Sequence, residues 1–438
     1  MTTSPLFPRP RCSSSRSASL DGDKPLGDSG SGFYDGEDLT TETQTIFNIV
    51  NNYVGMVLLS MSFCFASAGW FALPLLFVLT LLGGYTGALI VLSYATIANA
   101  GETVPSYAKI GEHSCGAFGK WLVVVSSVIE TFFCIVSMNI ITWKNVACFL
   151  PQMSLQPLIL GCVVLSFPTN WLTDFNRLSF LSAFGLGCVI FICADIGYEA
   201  GEQLLVPSSS AHAVERHALL EVRGLPMAAS IMFAGLTGHV SLPPIYASMK
   251  RPSRFGSTLI WSFAAMFVFY AFVGACGYLL YGENASVIVT EDMARGARGP
   301  MDRLLVNLIL AGMAFKLFCS VPMCVVVLTD IAENLHAERY GKQMRKDWVM
   351  YLRIGCWLCG VLSSVVFYDS LEYVTAFVGI NSLLISVILP IAFYLAIHWK
   401  GMNTLSMAWY LLVLFLSMAV TIMISWVDIS DFIGSLRM

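Results

Sequence analysis

Phe233-Ala234-Gly235-Leu236-Thr237-Gly238-His239, with Pro243-Pro244 close behind, interrupts an apolar run that extends from residue 225 to residue 247. A run of about 20 apolar residues crosses ~30 Å of hydrocarbon as a helix. Glycine and proline inside such a run break the ladder of backbone hydrogen bonds. In lipid the freed N–H and C=O groups would have no partner, so the break must face protein, water or a ligand. A second break lies in the first apolar run, at Asn51-Asn52-Tyr53-Val54-Gly55-Met56-Val57-Leu58-Leu59-Ser60. Each break lies roughly ten residues from a span end, or ~15 Å at 1.5 Å per residue, which is close to the bilayer midplane.

Working outward from the breaks, runs of similar length recur along the chain. Spans are expected near 45–66, 71–98, 120–148, 155–172, 178–199, 225–247, 256–281, 303–331, 348–368, 373–397 and 406–427. The chain is 56% hydrophobic and 12% charged, against about 25% charged in soluble domains. A soluble fold of 438 residues could not hide that much apolar surface. The runs are continuous rather than alternating, which excludes barrel strands and leaves helices. The expected fold is an all-α polytopic membrane protein of 11 transmembrane helices. A net charge of −4 argues against a nucleic-acid partner; the lipid bilayer is the partner the composition demands.

Residues 1–42 differ from the rest. They are rich in Ser, Gly, Pro and Asp and are expected to form a disordered cytosolic tail ahead of a membrane domain at 43–438. No apolar core follows the early arginines, so the tail does not read as a signal peptide. Lysine and arginine concentrate on one side: Lys109, Lys120, Lys250, Arg251, Arg339 and Arg345 would be cytosolic with the N-terminus inside. Asn284-Ala285-Ser286, a glycosylation sequon, falls on the opposite side. Most of the 13 cysteines lie in apolar runs and read as small hydrophobes. Cys356 and Cys359 form a CxxC with no second Cys or His pair at metal-site spacing, so no metal site is expected.

The first and sixth spans are corresponding members of two five-helix halves. Interrupted spans at matching positions point to an inverted-repeat transporter with its site at the breaks. A half-helix N-terminus offers N–H groups and partial positive charge to a carboxylate, and freed carbonyls accept from an ammonium. An amino acid carries both groups. The substrate-binding candidates are therefore Asn52, Gly55, Met56, Val57 and Leu58 in the first break, and Phe233, Gly235, Thr237 and Gly238 in the second. The competing reading is that these glycines only permit close helix packing. Two breaks in register favour the site.

At this point the residues resemble the amino acid/auxin permease family, and within it the vacuolar and vesicular branch that includes the vesicular inhibitory amino acid transporters. The likeness runs from about residue 45 to 330. It rests on Gly55-Met56 with Ala68-Gly69-Trp70, on Tyr85-Thr86-Gly87, on Tyr107-Ala108-Lys109-Ile110-Gly111 with Gly116-Ala117-Phe118-Gly119, and on Ile129-Glu130. Leu172-Thr173-Asp174 and Leu178-Ser179-Phe180-Leu181-Ser182 continue it. Its most specific piece is Gly238-His239 through Pro243, Ile245-Tyr246 and Ser248-Met249, followed by Tyr281-Gly282. The resemblance implies a LeuT-type bundle, a 5+5 inverted repeat plus one helix, and amino acid movement coupled to protons or, in other branches, to sodium. One departure is clear: Met61-Ser62-Phe63 stands where the family usually has Leu-Pro-Tyr.

Charged side chains at mid-bilayer cost ~2.5–3.5 kcal/mol on insertion scales, so they normally face the protein interior and have a partner. Glu130 in span three and Lys316 in span eight lie at depths that allow an ion pair or a water-bridged link. With His239 they form the proton-coupling candidates: Glu130 as the exchanging carboxyl, Lys316 as a fixed charge where sodium-coupled relatives bind a cation. For His239 a neutral imidazole tying freed backbone together is the favoured reading. Asp195 and Asp330 sit near span ends and receive no role; Asn381-Ser382 and Thr237 are candidate polar contacts.

No Walker loop, paired-histidine motif or catalytic residue is present, so no enzyme and no cofactor are expected. The leading expectation is a monomeric secondary transporter of small neutral amino acids, coupled to H+ rather than Na+, in a vacuolar, lysosomal or vesicular membrane. The alternatives are a sodium-coupled carrier and an amino acid sensor that transports little. The stretch at 332–347 reads as a charged cytosolic connector.

Overall fold

The computed structural model describes residues 39–99, 106–171, 175–205, 217–297 and 299–435. The tail at 1–38 and the link Leu172-Thr173-Asp174 lie outside them. Apart from one isolated β-bridge, the regular secondary structure of the described residues is helical. The chain begins with α1 (Glu42–Tyr53), whose N-terminus carries a capping box: the Gln44 amide donates to Thr41 Oγ1 at 3.3 Å, and the Thr41 amide donates to Gln44 Oε1 at 2.9 Å. A 3-10 turn then leads into α2 (Met61–Ala68), and α3 (Ala72–Asn99), α4 (Tyr107–Phe149), α5 (Leu155–Ser166) and α6 (Phe175–Leu205) follow. The backbone of α4 is bent at Cys115 and Gly116, so a short arm at Tyr107 precedes the long apolar stretch.

The second part repeats the interrupted pattern. Leu225-Pro226 starts α7 (Leu225–Ala234), where the missing proline N–H is no loss. After the break come α8 (Leu242–Ala247) and α9 (Phe255–Tyr281), then a short amphipathic α10 (Val289–Gly296). α11 (Pro300–Tyr340), α12 (Lys346–Val366), α13 (Leu371–Leu383), α14 (Leu389–His398) and α15 (Thr404–Ser435) complete the bundle. Eight helical runs among the described residues, with α2–α3, α7–α8 and α13–α14 each counted as one run, are long and apolar enough to cross a membrane, and Leu155–Trp171 is a shorter apolar helix.

One sequence expectation changes here. The stretch at 332–347 is not a connector: α11 runs on to Tyr340 and α12 starts at Lys346. Its charges are the polar end of a helix, and Glu338 pairs with Lys120 of α4. The span expected at 373–397 is present as one helical run, Leu371–Gly401, with a local departure inside it. A π-helical segment at Leu384–Ile388 separates α13 from α14. Pro390 accounts for it, because a proline cannot donate to the carbonyl four residues back and its ring crowds that carbonyl.

The core forms where α4 packs on α11, α7 on α13, and α2 on α9. Leu58, Leu59, Phe65, Phe233 and Tyr270 are all fully buried in it. The outer surface is apolar as well: Phe415 and Trp426 of α15 are 71% and 76% exposed. Water would make that surface an aggregation hazard, whereas hydrocarbon is its natural solvent. α15 stands at the edge of the bundle against α13, α14 and α7.

Both ends of the broken runs are tied to neighbouring backbone. Ahead of α1, the Thr40 amide donates to Ser248 O at 2.8 Å and the Lys250 amide donates to Thr40 O at 2.9 Å. At the other end the loop before α7 is pinned on the α2–α3 turn. There the Trp70 amide donates to Ala218 O at 3.1 Å, Phe71 to Leu219 O at 3.0 Å, and Glu221 to Ala68 O at 3.1 Å.

Candidate functional site

The two breaks expected from sequence meet each other. α1 ends at Val54, and Gly55 leaves the helical region before the 3-10 turn at Met56–Ser60. α7 ends at Gly235, and Gly238 adopts φ +154°, a conformation that side chains rarely take. The Tyr53 ring covers Gly238: a Cβ there would lie 2.5 Å from it. Tyr270 of α9 joins the breaks directly. Its hydroxyl lies 3.0 Å from Tyr53 O and 2.8 Å from Gly235 O, one donor facing a carbonyl from each broken run. Asn52 Nδ2 donates to Ser241 Oγ at 3.0 Å and links α1 to the turn after the second break.

Among the substrate-binding candidates, Met56, Val57, Leu58 and Phe233 are buried, whereas Gly55, Gly235, Thr237 and Gly238 gather along the breaks. Gly235 is itself buried, Gly55, Thr237 and Gly238 are partly open, and Asn52 is exposed. The residues are brought together, but the breaks pack on one another through Tyr53 and Tyr270 rather than bordering an open space along their whole length.

The coupling candidates separate into three places. Glu130 of α4 faces the second break. Thr237 Oγ1 donates to Glu130 Oε1 at 2.8 Å and Ser382 Oγ of α13 approaches the same oxygen at 3.0 Å. Thr237 Oγ1 is also 2.9 Å from Ser386 Oγ in the π-helical segment. Lys316 of α11 is 3% exposed and faces the first break, where its Nζ donates to Val54 O at 3.0 Å. The expected Glu130–Lys316 ion pair is not formed. Each residue is turned to a different broken helix. Lys316 serves a carbonyl that the end of α1 leaves free, and Glu130 serves hydroxyls. His239 is fully buried and faces α3, with Nε2 3.0 Å from Gly83 O and 3.1 Å from Thr86 Oγ1. It closes the far side of the break and does not join Glu130.

Sequence reading missed three contributors. Tyr270 was hidden in an uninterrupted apolar helix, although a lone tyrosine hydroxyl at mid-depth needs a buried partner. Ser386 became relevant only through the π-helical segment. Tyr107 belongs to a quoted motif, but its hydroxyl donates to Ile385 O at 2.8 Å, a carbonyl of that same segment. Three interrupted helices therefore converge, and side chains from α4, α9 and α11 satisfy backbone or hydroxyl groups at the interruptions.

This geometry can be set beside known proteins. The family model described as "Transmembrane amino acid transporter protein" matches residues 39–430. The chain belongs to that family. Within the transmembrane amino acid transporter family, it is 24% identical over 376 residues to amino acid transporter AVT1H of Arabidopsis thaliana, covering 83% of each chain. It is 28% identical over 268 residues to AVT1D of the same plant, and that match spans about half of the relative's length, 47%. The vesicular GABA transporter of Caenorhabditis elegans is 22% identical over 379 residues, covering 82% of this chain and 73% of that one. Two solved structures share the fold. MhsT in complex with L-phenylalanine has a TM-score of 0.54 at 13% identity, covering 88% of this chain and 98% of that one. A Na+-coupled sialic acid symporter has a TM-score of 0.53 at 12% identity, covering 89% of this chain and 90% of that one. Both have the LeuT-type fold, and at these identities the likeness concerns fold alone.

Proposed function

We propose that this family member is a secondary active transporter that moves small neutral amino acids by alternating access, coupled to protons. In this reading eleven helices span the membrane as two inverted halves of five plus α15. The N-terminus is cytosolic, the monomer is the working unit, and the membrane is vacuolar, lysosomal or vesicular. Family membership and the relatives' names support an amino acid cargo. The observation that carries the mechanism is Tyr270, whose hydroxyl faces Tyr53 O and Gly235 O together. These carbonyls are the acceptors an ammonium group needs, and the first N–H groups after Gly55 are the donors a carboxylate needs. Substrate would enter between the breaks and take over part of Tyr270's role.

Coupling follows from what each ionisable residue holds. Lys316 keeps a positive charge against the first break, the place a coupling cation would otherwise take, which favours H+ over Na+. Glu130 holds Thr237 and Ser382 together while it accepts from both. Protonation converts one oxygen from acceptor to donor and rearranges that link, so the second break is released as the proton arrives. One of the two sets of backbone ties at the ends of the broken runs opens in each half of the cycle.

Purified protein in liposomes, assayed with a panel of amino acids under a pH or a sodium gradient, tests this. Uptake of small neutral amino acids driven by the pH gradient and abolished by a protonophore is the expected result. Glu130→Gln should keep counterflow exchange and lose concentrative uptake by at least tenfold, because the amide cannot cycle a proton. Undiminished pH-driven uptake in that variant would sink the coupling role. Binding of amino acids without transport under any gradient would mark a sensor.

A further inference from the structure

Several buried ionisable groups lie outside the site just described, among them Asp195, Asp292, Arg353 and Asp428. Asp428 of α15 is 4% exposed, and its Oδ2 is 2.6 Å from Ser230 Oγ on α7. Its other oxygen, Oδ1, is buried with no hydrogen-bond partner among the described residues. Among the described residues, no lysine or arginine forms an ion pair with it. Among the described residues, the elements around it offer no counter-charge. α7 has no ionisable residue. α13 brings Glu372 and Tyr373, the latter with its ring against Phe432. α14 brings His398, which contacts Thr96 and Tyr394 O at the opposite end of α15. α15 itself adds a second carboxylate, Asp431.

The hydrogens decide how the contact is made. Ser230 has one hydroxyl hydrogen and two neighbours able to take it: Pro226 O at 3.0 Å and Asp428 Oδ2 at 2.6 Å. An ionised Asp428 only accepts, so Ser230 could serve one neighbour at a time, and an uncompensated charge would sit between helices. A protonated Asp428 donates to Ser230 Oγ, and Ser230 donates onward to Pro226 O. Both contacts are then made at once.

We propose that Asp428 is a second proton-binding site, which carries its proton in this conformation and uses it to fasten α15 to α7. Release of the proton leaves a carboxylate without a counter-charge and unfastens the two helices. α7 is the first half of the broken sixth run, and Thr237 lies seven residues beyond Ser230, or ~10 Å along a helix. Asp428 therefore sets the freedom of α7 by the pH of the compartment at the end where α7 begins. Glu130 acts beyond the opposite end of α7.

Full-length protein in lipid nanodiscs gives two readouts that need no substrate, so they stand apart from any failure to transport amino acids. Infrared difference spectra report the C=O stretch of protonated carboxyls. A band present at acidic pH, lost as pH rises and missing in Asp428→Asn, is expected; Ser230→Ala should shift its frequency. Spin labels near the start of α7 and the end of α15 should move apart as pH rises in the wild type. They should stay close in Asp428→Asn, whose amide keeps a donor toward Ser230. Superimposable spectra of wild type and Asp428→Asn at every pH would overturn the proposal, as would a wild-type distance that does not change with pH. If the variant fails to fold, the pH dependence of the wild-type distance decides the matter alone.

Discussion

Tyr270 shows what a single side chain decides in this molecule. Its hydroxyl is fully buried and is the shared donor for Tyr53 O and Gly235 O. Tyr270→Phe keeps the ring and its packing but leaves both carbonyls short of a donor. A buried polar group left unsatisfied costs ~1–3 kcal/mol. The variant should therefore melt at a lower temperature than wild type in detergent, and amino acids should raise its melting temperature by more than they raise that of wild type, because their ammonium restores the lost donor. Equal melting temperatures without ligand would remove Tyr270 from the link between the breaks. At this scale the sequence was a partial guide. Gly238 and Thr237 were legible because a glycine and a polar residue in an apolar run are costly anomalies. Tyr270 was not, since nothing in its own helix is anomalous. Glu130 and Lys316 are legible as charges inside apolar spans, but their partners are not.

At the scale of elements, the crossing of α7 and α13 governs the site, because Thr237 and Ser382 reach Glu130 from these two runs. Gly379 makes the crossing possible: a Cβ there would lie 1.8 Å from Ser230 O. Gly379→Ala forces the helices apart. Overpacking of this kind costs ~1–3 kcal/mol and occasionally more. We expect a lower melting temperature together with loss of concentrative uptake, since the Thr237–Glu130–Ser382 contacts are stretched. Wild-type stability and uptake in this variant would show that the crossing has slack that the geometry denies. The helices themselves were readable from apolar length, and both glycine breaks from composition. The π-helical segment was not read, although Pro390 marks it. Pro390 stands at the start of α14, and a proline in a helix's first turn is ordinarily harmless. Only the carbonyl of Ile385, taken up by Tyr107, shows that the helix opens there.

The whole molecule poses the question of orientation. Asn284 is exposed just beyond α9, on the opposite side from the basic residues Lys250, Arg251 and Arg254 that precede that helix. If those residues face the cytosol, Asn284 faces the lumen or the exterior. Protein expressed in eukaryotic cells should then carry a glycan, seen as a mobility shift that glycosidase removes and Asn284→Gln lacks. A glycan at Asn284 in protein whose N-terminal tag is also protected from the cytosol would contradict the orientation. Taken by itself, the sequence determined that the chain is helical, that its solvent is hydrocarbon, where two helices break and which family it joins. These are local properties: run length, composition, and glycine or proline placed where lipid forbids free backbone. The tertiary structure alone decided which groups meet. Lys316 reaches Val54 across 262 residues, Ser382 reaches Glu130 across 252, and Asn52 reaches Ser241 across 189. Such pairings depend on how each helix is rotated about its axis and on how close glycine lets two backbones come. Within a uniformly apolar span no periodic pattern records that rotation, which is why the expected Glu130–Lys316 pair resolved into two separate attachments, one at each break.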